Sequence, residues 1–185
     1  MTISFNTVRD NLYDWAVANV PVGMPVIFLN QNAPQPTNAG TPLDYVTLYI
    51  TSAIQVGYDY TRNPDAQDGI ADMFGDREFT LQIQAYGGDP ITVLENLRTS
   101  LQKSSVLSSL RAVDLVYVEW FPIQDLTTLI DSRYQNRAAW DSRWRIAQVY
   151  TDNLGVIETT EVTETFKDVL GATVLTQTIT ITIPP

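Results

Sequence analysis

The residues of this chain that could carry chemistry are carboxylates, arginines and one glycine turn, because its 185 residues include neither histidine nor cysteine. Without histidine there is no imidazole base for a nucleophilic triad and no near-neutral proton shuttle, and the commonest zinc ligand is missing. Without cysteine there are no disulfides or thiolate metal sites, and nothing fixes the redox compartment. The stretch "QAYGGDPITVLENL", Gln84 to Leu97, runs a strand pattern through two glycines into a helix pattern, the order in which a phosphate-binding turn is built. Such a turn needs G-x-x-x-x-G-K-[ST] or G-x-G-x-x-G, so that backbone N–H groups, and in the first case a lysine, meet the anion. Here Gly87 and Gly88 are adjacent, no third glycine follows, and Asp89 would repel a phosphate. Asp89 followed by Pro90 reads instead as an N-cap with proline at the first helical position. The turn is expected to be a structural corner, and no cofactor is expected.

The acids give no better site. Asp65, Asp68, Asp72 and Asp76 lie in "DAQDGIADMFGD", but the D-x-[DN]-x-[DN]-G register and the distant Glu of a calcium loop are missing. Carboxylates three or four apart read as a solvated, mutually repelling face, so no metal site is expected. Glu119, Asp125 and Asp131 have no apolar pocket or partner charge in sequence to separate their pKa values, as paired catalytic acids require.

The arginines are more informative. Arg133, Arg137, Arg143 and Arg145 fall within "RYQNRAAWDSRWR", four of the 11 basic residues, with Trp140 and Trp144 among them. Arg and Trp are enriched at interface hot spots. As a strand, this segment puts Trp140, Ser142, Trp144 and Ile146 on one face and Asp141, Arg143 and Arg145 on the other. Two readings stand: a subunit interface built on Arg133, Arg137, Trp140, Arg143 and Arg145, or a core-facing Trp144 with solvated arginines.

The elements that position these groups follow from periodicity. A helix from about Ser4 to Asn19 carries Phe5, Val8, Leu12 and Trp15 as one stripe, with Ser4 as cap and Pro21 and Gly23 ending it. Met24–Asn30 reads as a short strand, and Gln31–Pro42 as a polar loop with little that could pack. Along "YVTLYITSAIQVGYDY", Val46, Leu48, Ile50, Ile54 and Val56 share one strand face. A long acidic connection, Thr61–Asp76, leads to a strand with Phe79, Leu81, Ile83 and Ala85 on one face. A helix from Pro90 to about Lys103 carries Ile91, Leu94, Leu97 and Leu101 on one side, followed by strands at Val113–Phe121 and Arg137–Tyr150. This order predicts an α+β fold: an antiparallel or mixed sheet with two helices on one face. From Thr151 the chain is Thr-rich, and Leu175, Gln177, Ile179, Ile181 and Ile183 alternate with Val174 and threonines. The apolar side, with Ile179, Ile181 and Ile183 as contacts, needs cover from its own domain or a neighbour. Residues 1–150 are read as one α+β domain and 151–185 as a β-rich C-terminal arm.

Composition bounds the partners. With 44% hydrophobic and 17% charged residues the chain reads as a globular protein, and no apolar run approaches a membrane span. "MTISFNTVRD" lacks a basic start followed by an apolar stretch, so no secretory signal and no membrane partner are expected. A net charge of −10 argues against gripping nucleic-acid phosphates, while suiting a surface that nucleic acid passes without sticking.

The opening "FNTVRDNLYDWA", the strand "YVTLYITSAIQVGYDY", the unit "REFTLQIQAYGGDPITVLENLRTSL" and the closing "YQNRAAWDSRWRIAQVY" together resemble the tail terminator (neck or tail-completion) proteins of tailed bacteriophages, over Phe5 to Tyr150. The resemblance implies an α+β structural subunit of the virion neck. It would assemble in the host cytoplasm into a hexameric ring that caps the tail tube and meets the head connector, with genomic DNA passing through. The Thr-rich tail and the Gln31–Pro42 loop depart from the pattern and leave a collar or other neck protein as the alternative. A carboxylate-dependent enzyme lacks a site, and a β-rich adhesin lacks an export signal.

Overall fold

Ser4 opens the first helix by accepting a hydrogen bond from the Asn6 N–H at 3.2 Å, which satisfies one of the orphan donors of α1 (Phe5–Asn19). The computed structural model describes residues 4–30, 36–38, 41–42, 44–62, 70–130, 133–153 and 159–182. After α1 come β1 (Val26–Phe28), β2 (Thr37–Asn38), β3 (Thr41–Pro42), β4 (Tyr45–Arg62) and β5 (Ile70–Tyr86). Helices α2 (Pro90–Ser100) and α3 (Ser104–Arg111) follow, then β6 (Leu115–Trp120), β7 (Gln124–Asp125), β8 (Thr128–Ile130), β9 (Arg133–Gln135) and β10 (Arg137–Asn153). The chain closes with β11 (Thr159–Lys167) and β12 (Thr173–Thr182).

The main sheet has the order β1-β4-β5-β10-β6, with β7 also on β10. It is mixed: β1 runs parallel to β4, and β6 antiparallel to β10. The fold is the α+β class expected, with a third helix. Lys103 gives α3 no side-chain cap, and its serine-rich "SSVLSSLR" buries only Leu110, so little in the sequence announced it. Two further corrections concern connections. The acidic stretch after Thr61 is strand from Ile70 onward, placing Asp72 and Asp76 in β5, because pairing with a neighbouring strand overrides weak β propensity; Asp65 and Asp68 lie outside the described residues. The Gln31–Pro42 loop holds β2 and β3, paired Thr37 to Pro42 and Asn38 to Thr41.

By its contacts the chain divides into two units, Met1–Asp59 with Phe74–Val149, and Tyr60–Met73 with Tyr150–Pro185. In the first, Val8, Leu12 and Trp15 of α1, Leu94 and Leu97 of α2 and Leu110 of α3 join one core with Val46, Leu48, Phe79, Leu81, Ile83, Trp140 and Trp144 of the sheet. Each fully buried large apolar side chain contributes about 1.5–3 kcal/mol. The alternation of β4 outlasts that core: Val46 and Leu48 are fully buried, whereas Ile54 is 58% exposed. Further along the same two strands, Arg77 of β5 grips the Asp59 carboxylate of β4 with both terminal nitrogens at 2.8 Å. A Cβ at Gly75 would overlap that pair, so a larger residue there would push the ion pair aside.

Three tryptophans tie helix to sheet. The rings of Trp15 and Trp144 meet edge to face, 5.5 Å between centroids. Trp15 Nε1 donates to Ser100 Oγ at 3.1 Å, and Ser100 Oγ donates onward to the Leu97 carbonyl at 2.6 Å. Trp144 Nε1 donates to Ser142 Oγ at 2.9 Å, and Ser142 Oγ to the Leu81 carbonyl at 3.2 Å. Trp140 is equally buried but its Nε1 has no partner among the described residues. Trp15→Phe and Trp144→Phe should therefore each cost about 1 kcal/mol more than Trp140→Phe, because only they remove an indole hydrogen bond to a buried serine hydroxyl. Urea unfolding of the three variants checks this; equal losses would mean the two indole hydrogen bonds contribute nothing.

Candidate functional site

The glycine corner is occupied by the protein's own acid. Gly87 and Gly88 hold φ of +79° and +43°, conformations that favour glycine. A Cβ at Gly87 would overlap the Asp44 carboxylate, and one at Gly88 would lie 2.6 Å from Asp44 Oδ2. The Gly87 N–H is spent on the Asn136 carbonyl at 3.0 Å, and Asn136 Nδ2 donates to the Gly88 carbonyl at 2.9 Å. A carboxylate thus stands where a phosphate would have to sit. Asp89 caps α2 as expected, accepting from the Thr92 N–H at 3.2 Å and the Thr92 hydroxyl at 2.6 Å. Those two bonds, the hydroxyl's first, hold its carboxyl below the ordinary value.

The other acids are dispersed. Glu119 is half exposed and pairs with Arg143, and Asp125 accepts from the Thr127 N–H at 2.9 Å. Asp131 lies outside the described residues. Among the described residues no group of three or more carboxylates is placed to hold a metal ion, and no helix is long and apolar enough to cross a membrane.

The arginine strand is β10, and its two faces have different partners. Trp140, Ser142, Trp144 and Ile146 are buried. Trp140 therefore lies inside its own chain's core, away from any surface a neighbour could touch. On the opposite face Arg143 Nε lies 3.3 Å from Glu78 Oε1 and its Nη1 3.1 Å from Glu119 Oε2, while Arg145 Nη2 lies 3.0 Å from Glu78 Oε2. Glu78 is 12% exposed, the two arginines about 40%. Arg137 donates to Gln84 Oε1 at 2.6 Å and lies over the Tyr86 ring at 5.1 Å. Tyr86 in turn stacks on Tyr45 at 4.5 Å. Burial pushes the Tyr45 hydroxyl up, helped by Tyr86 and opposed by Arg137. At the strand's edge, burial against Trp144 pushes Tyr117 up to about 12. Arg133 belongs to β9, paired with Ile130, and its side chain lies outside the described residues. The face is thus neither a bare basic stripe nor a row of solvated cations. It is an ion-paired surface whose carboxylate partners on β5 and β6 no local spacing could reveal.

The second unit carries the other singled-out residues. β12 pairs antiparallel with β11, Val162 opposite Ile179 and Thr160 opposite Ile181. Asp168 Oδ1 accepts the Leu170 and Ala172 N–H groups at 2.9 and 2.8 Å, closing the turn in which Gly171 takes φ +85°. One face of this ribbon shows Val162, Phe166, Leu175, Ile179 and Ile181, all about half exposed, and the turn shows Val169 and Leu170 almost wholly exposed. Ile183 lies outside the described residues. The β11 partner was missed, although "TTEVTETF" alternates and "DVLG" is a turn signal.

The chain thus carries an ion-paired sheet face and a ribbon with a half-exposed apolar row. Its kind is given by comparison with family models: residues 6–168 match that of the phage neck terminator protein, and the chain belongs to this family. It is therefore a structural protein of the phage virion, placed in its neck. The match runs past Tyr150 through β11 and ends in the ribbon's turn. Comparison with curated proteins finds no match.

Two outcomes follow from this geometry. Asp89→Ala should lower Tm by roughly 2–4 °C at neutral pH through loss of the cap. Because the folded-state carboxyl lies below its ordinary value of 3.8, that stabilisation is present above the ordinary value and lost as pH falls through the lowered one. Melting curves of wild type and variant should then converge in acid; a constant gap would exclude the cap as its cause. In a double-mutant cycle, Glu78→Gln and Arg145→Gln should couple by about 0.5–1 kcal/mol in chemical unfolding, and zero coupling would mean the pair is energetically silent.

Proposed function

We propose that six copies of this chain close into a ring that ends the tail tube and joins the tail to the head connector, with the genome passing through unbound. Assembly takes place in the host cytoplasm before the neck is complete. The observation that carries this reading is the family match across nearly the whole α+β unit. The charge distribution supports it. Of the 11 basic residues, Arg77, Arg98, Arg143 and Arg145 are each engaged by a carboxylate of the same chain. The other seven are outweighed by the chain's 21 acids, whose charge opposes a lasting grip on DNA phosphates, so a duplex can slide past without being held.

In this reading the outer face of β10, with Arg137, Arg143 and Arg145, is a subunit contact, and the ribbon with Ile179 and Ile181 is a second. The cis ion pairs change what a mutation there would do. Arg143→Glu with Arg145→Glu sets two new acids beside Glu78 and Glu119, so it should weaken the monomer as well as the contact. Arg143→Gln with Arg145→Gln removes the contact charges without that repulsion. Sedimentation of purified wild type should show a species six times the mass of the chain, and negative-stain images should show rings. The glutamine pair should raise the concentration needed for assembly about tenfold while the monomer still melts cooperatively. Wild-type protein that stays monomeric at all concentrations would overturn the reading.

A further inference from the structure

Among the described residues, strand β4 is paired along one edge by β5 and along the other by the three residues of β1. Val46 donates its N–H to the Pro25 carbonyl at 2.9 Å, and the Leu48 carbonyl accepts from Leu29 N–H at 3.0 Å. Both groups point toward β1, and backbone groups alternate sides along a strand. The N–H and C=O of Ser52, Ile54 and Val56 therefore point to the same edge. β1 ends at Phe28, opposite Leu48, and past that point no strand pairs with this edge among the described residues. The alternation ends at Gly57, whose φ of +71° kinks the strand.

Proteins protect bare strand edges with charges, prolines or cover. The segment Ile50–Tyr58, "ITSAIQVGY", has no charged residue and no proline. The same holds for β12, "TVLTQTITIT", which pairs with β11 along one edge and with no other strand among the described residues. Its partner β11 also has a free outer edge among the described residues, but carries Glu161, Glu164 and Lys167, so β12 is the uncharged one of the ribbon's two edges. A chain of net charge −10 thus has two uncharged strand edges of similar length, on different parts of its sequence. That is the arrangement a closed ring needs, because a head-to-tail contact joins two different patches of identical subunits.

We propose that β12 of one copy adds as a strand to the Ile50–Tyr58 edge of the next copy, so that main-chain hydrogen bonds link the subunits. The side chains of Ser52, Ile54 and Val56 share the face of Val46 and Leu48. An added β12 with its apolar row on that face sets Leu175, Ile179 and Ile181 beside Ile54, covering side chains that are each about half exposed. The proposal rests on the ring reading and specifies how the ring is held.

The absence of native cysteine makes the test direct. Full-length Ile54→Cys protein is mixed with full-length Gln177→Cys or Ile179→Cys protein, assembled and mildly oxidised. A disulfide between the two different chains in at least one mixture is the expected result. Separately, Ser52→Pro with Ile54→Pro removes two N–H groups that β5 does not use. It should abolish assembly at concentrations where wild type is fully assembled, leaving the monomer's circular dichroism unchanged. Wild-type rings with no cross-chain disulfide in either mixture overturn strand addition while leaving the ring intact, and so do proline-variant rings as stable as wild type. In a chain carrying both Ile54→Cys and Ile179→Cys, a disulfide that forms only within single chains also overturns it, assigning the ribbon to its own subunit. A wild-type protein that never assembles overturns the ring reading itself.

Discussion

Burying two tryptophans four residues apart on one face of β10 commits the register of that strand, and with it everything on the strand's other face. Trp140 and Trp144 can enter the core only if Asp141, Arg143 and Arg145 face outward. A slip of one residue would exchange indoles for guanidinium groups in the core, at a cost no surface interaction could offset. The outward arginines then need partners, and Glu78 on β5 and Glu119 on β6 supply them. The core thus dictates the surface. Ser142, between the tryptophans, lets a polar residue share the buried face because its hydroxyl is both donor and acceptor.

The parts of this arrangement that were legible in the sequence are those governed by short periods. The alternation of Trp140, Ser142, Trp144 and Ile146, the Ser4 cap and the Asp89–Pro90 start of α2 are local patterns that appear as read. The α1 stripe appears through Val8, Leu12 and Trp15, while Phe5, its first member, is exposed. What escaped depends on distant partners. The carboxylates that meet the arginines lie 67 residues away in the case of Arg145 and Glu78. The Asp44 side chain that fills the glycine corner comes from the start of β4, on a different element. Helix α3 escaped because it is short and has no side-chain cap, with Val106 and Leu110 alone packed on the core among its described residues. The strand character of Asp72 and Asp76 escaped because pairing, not propensity, makes them strand.

The apolar residues that the core leaves exposed are as informative as those it buries. Ile54 on β4 and the row on the β11–β12 ribbon continue strand patterns in places where the chain's described residues supply no cover. An isolated two-stranded ribbon is marginal in water, and one with a half-exposed apolar row gains most from a partner surface. In the ring proposed above that partner is a second copy of the chain, which the uncharged edges of β4 and β12 suit. The chain's acidity restrains non-specific contact between copies. Contact is then favoured where charge is absent and main-chain groups are open.

Hydrogen exchange, compared between dissociated and assembled protein, tests this account most directly. Amides of Ser52, Ile54 and Val56 and those on the open edge of β12 should exchange quickly in the free chain and become protected together on assembly, while the amides of Leu81 and Trp144 are slow in both states. Assembled particles in which the β4 edge and β12 exchange as fast as in the free chain would contradict it.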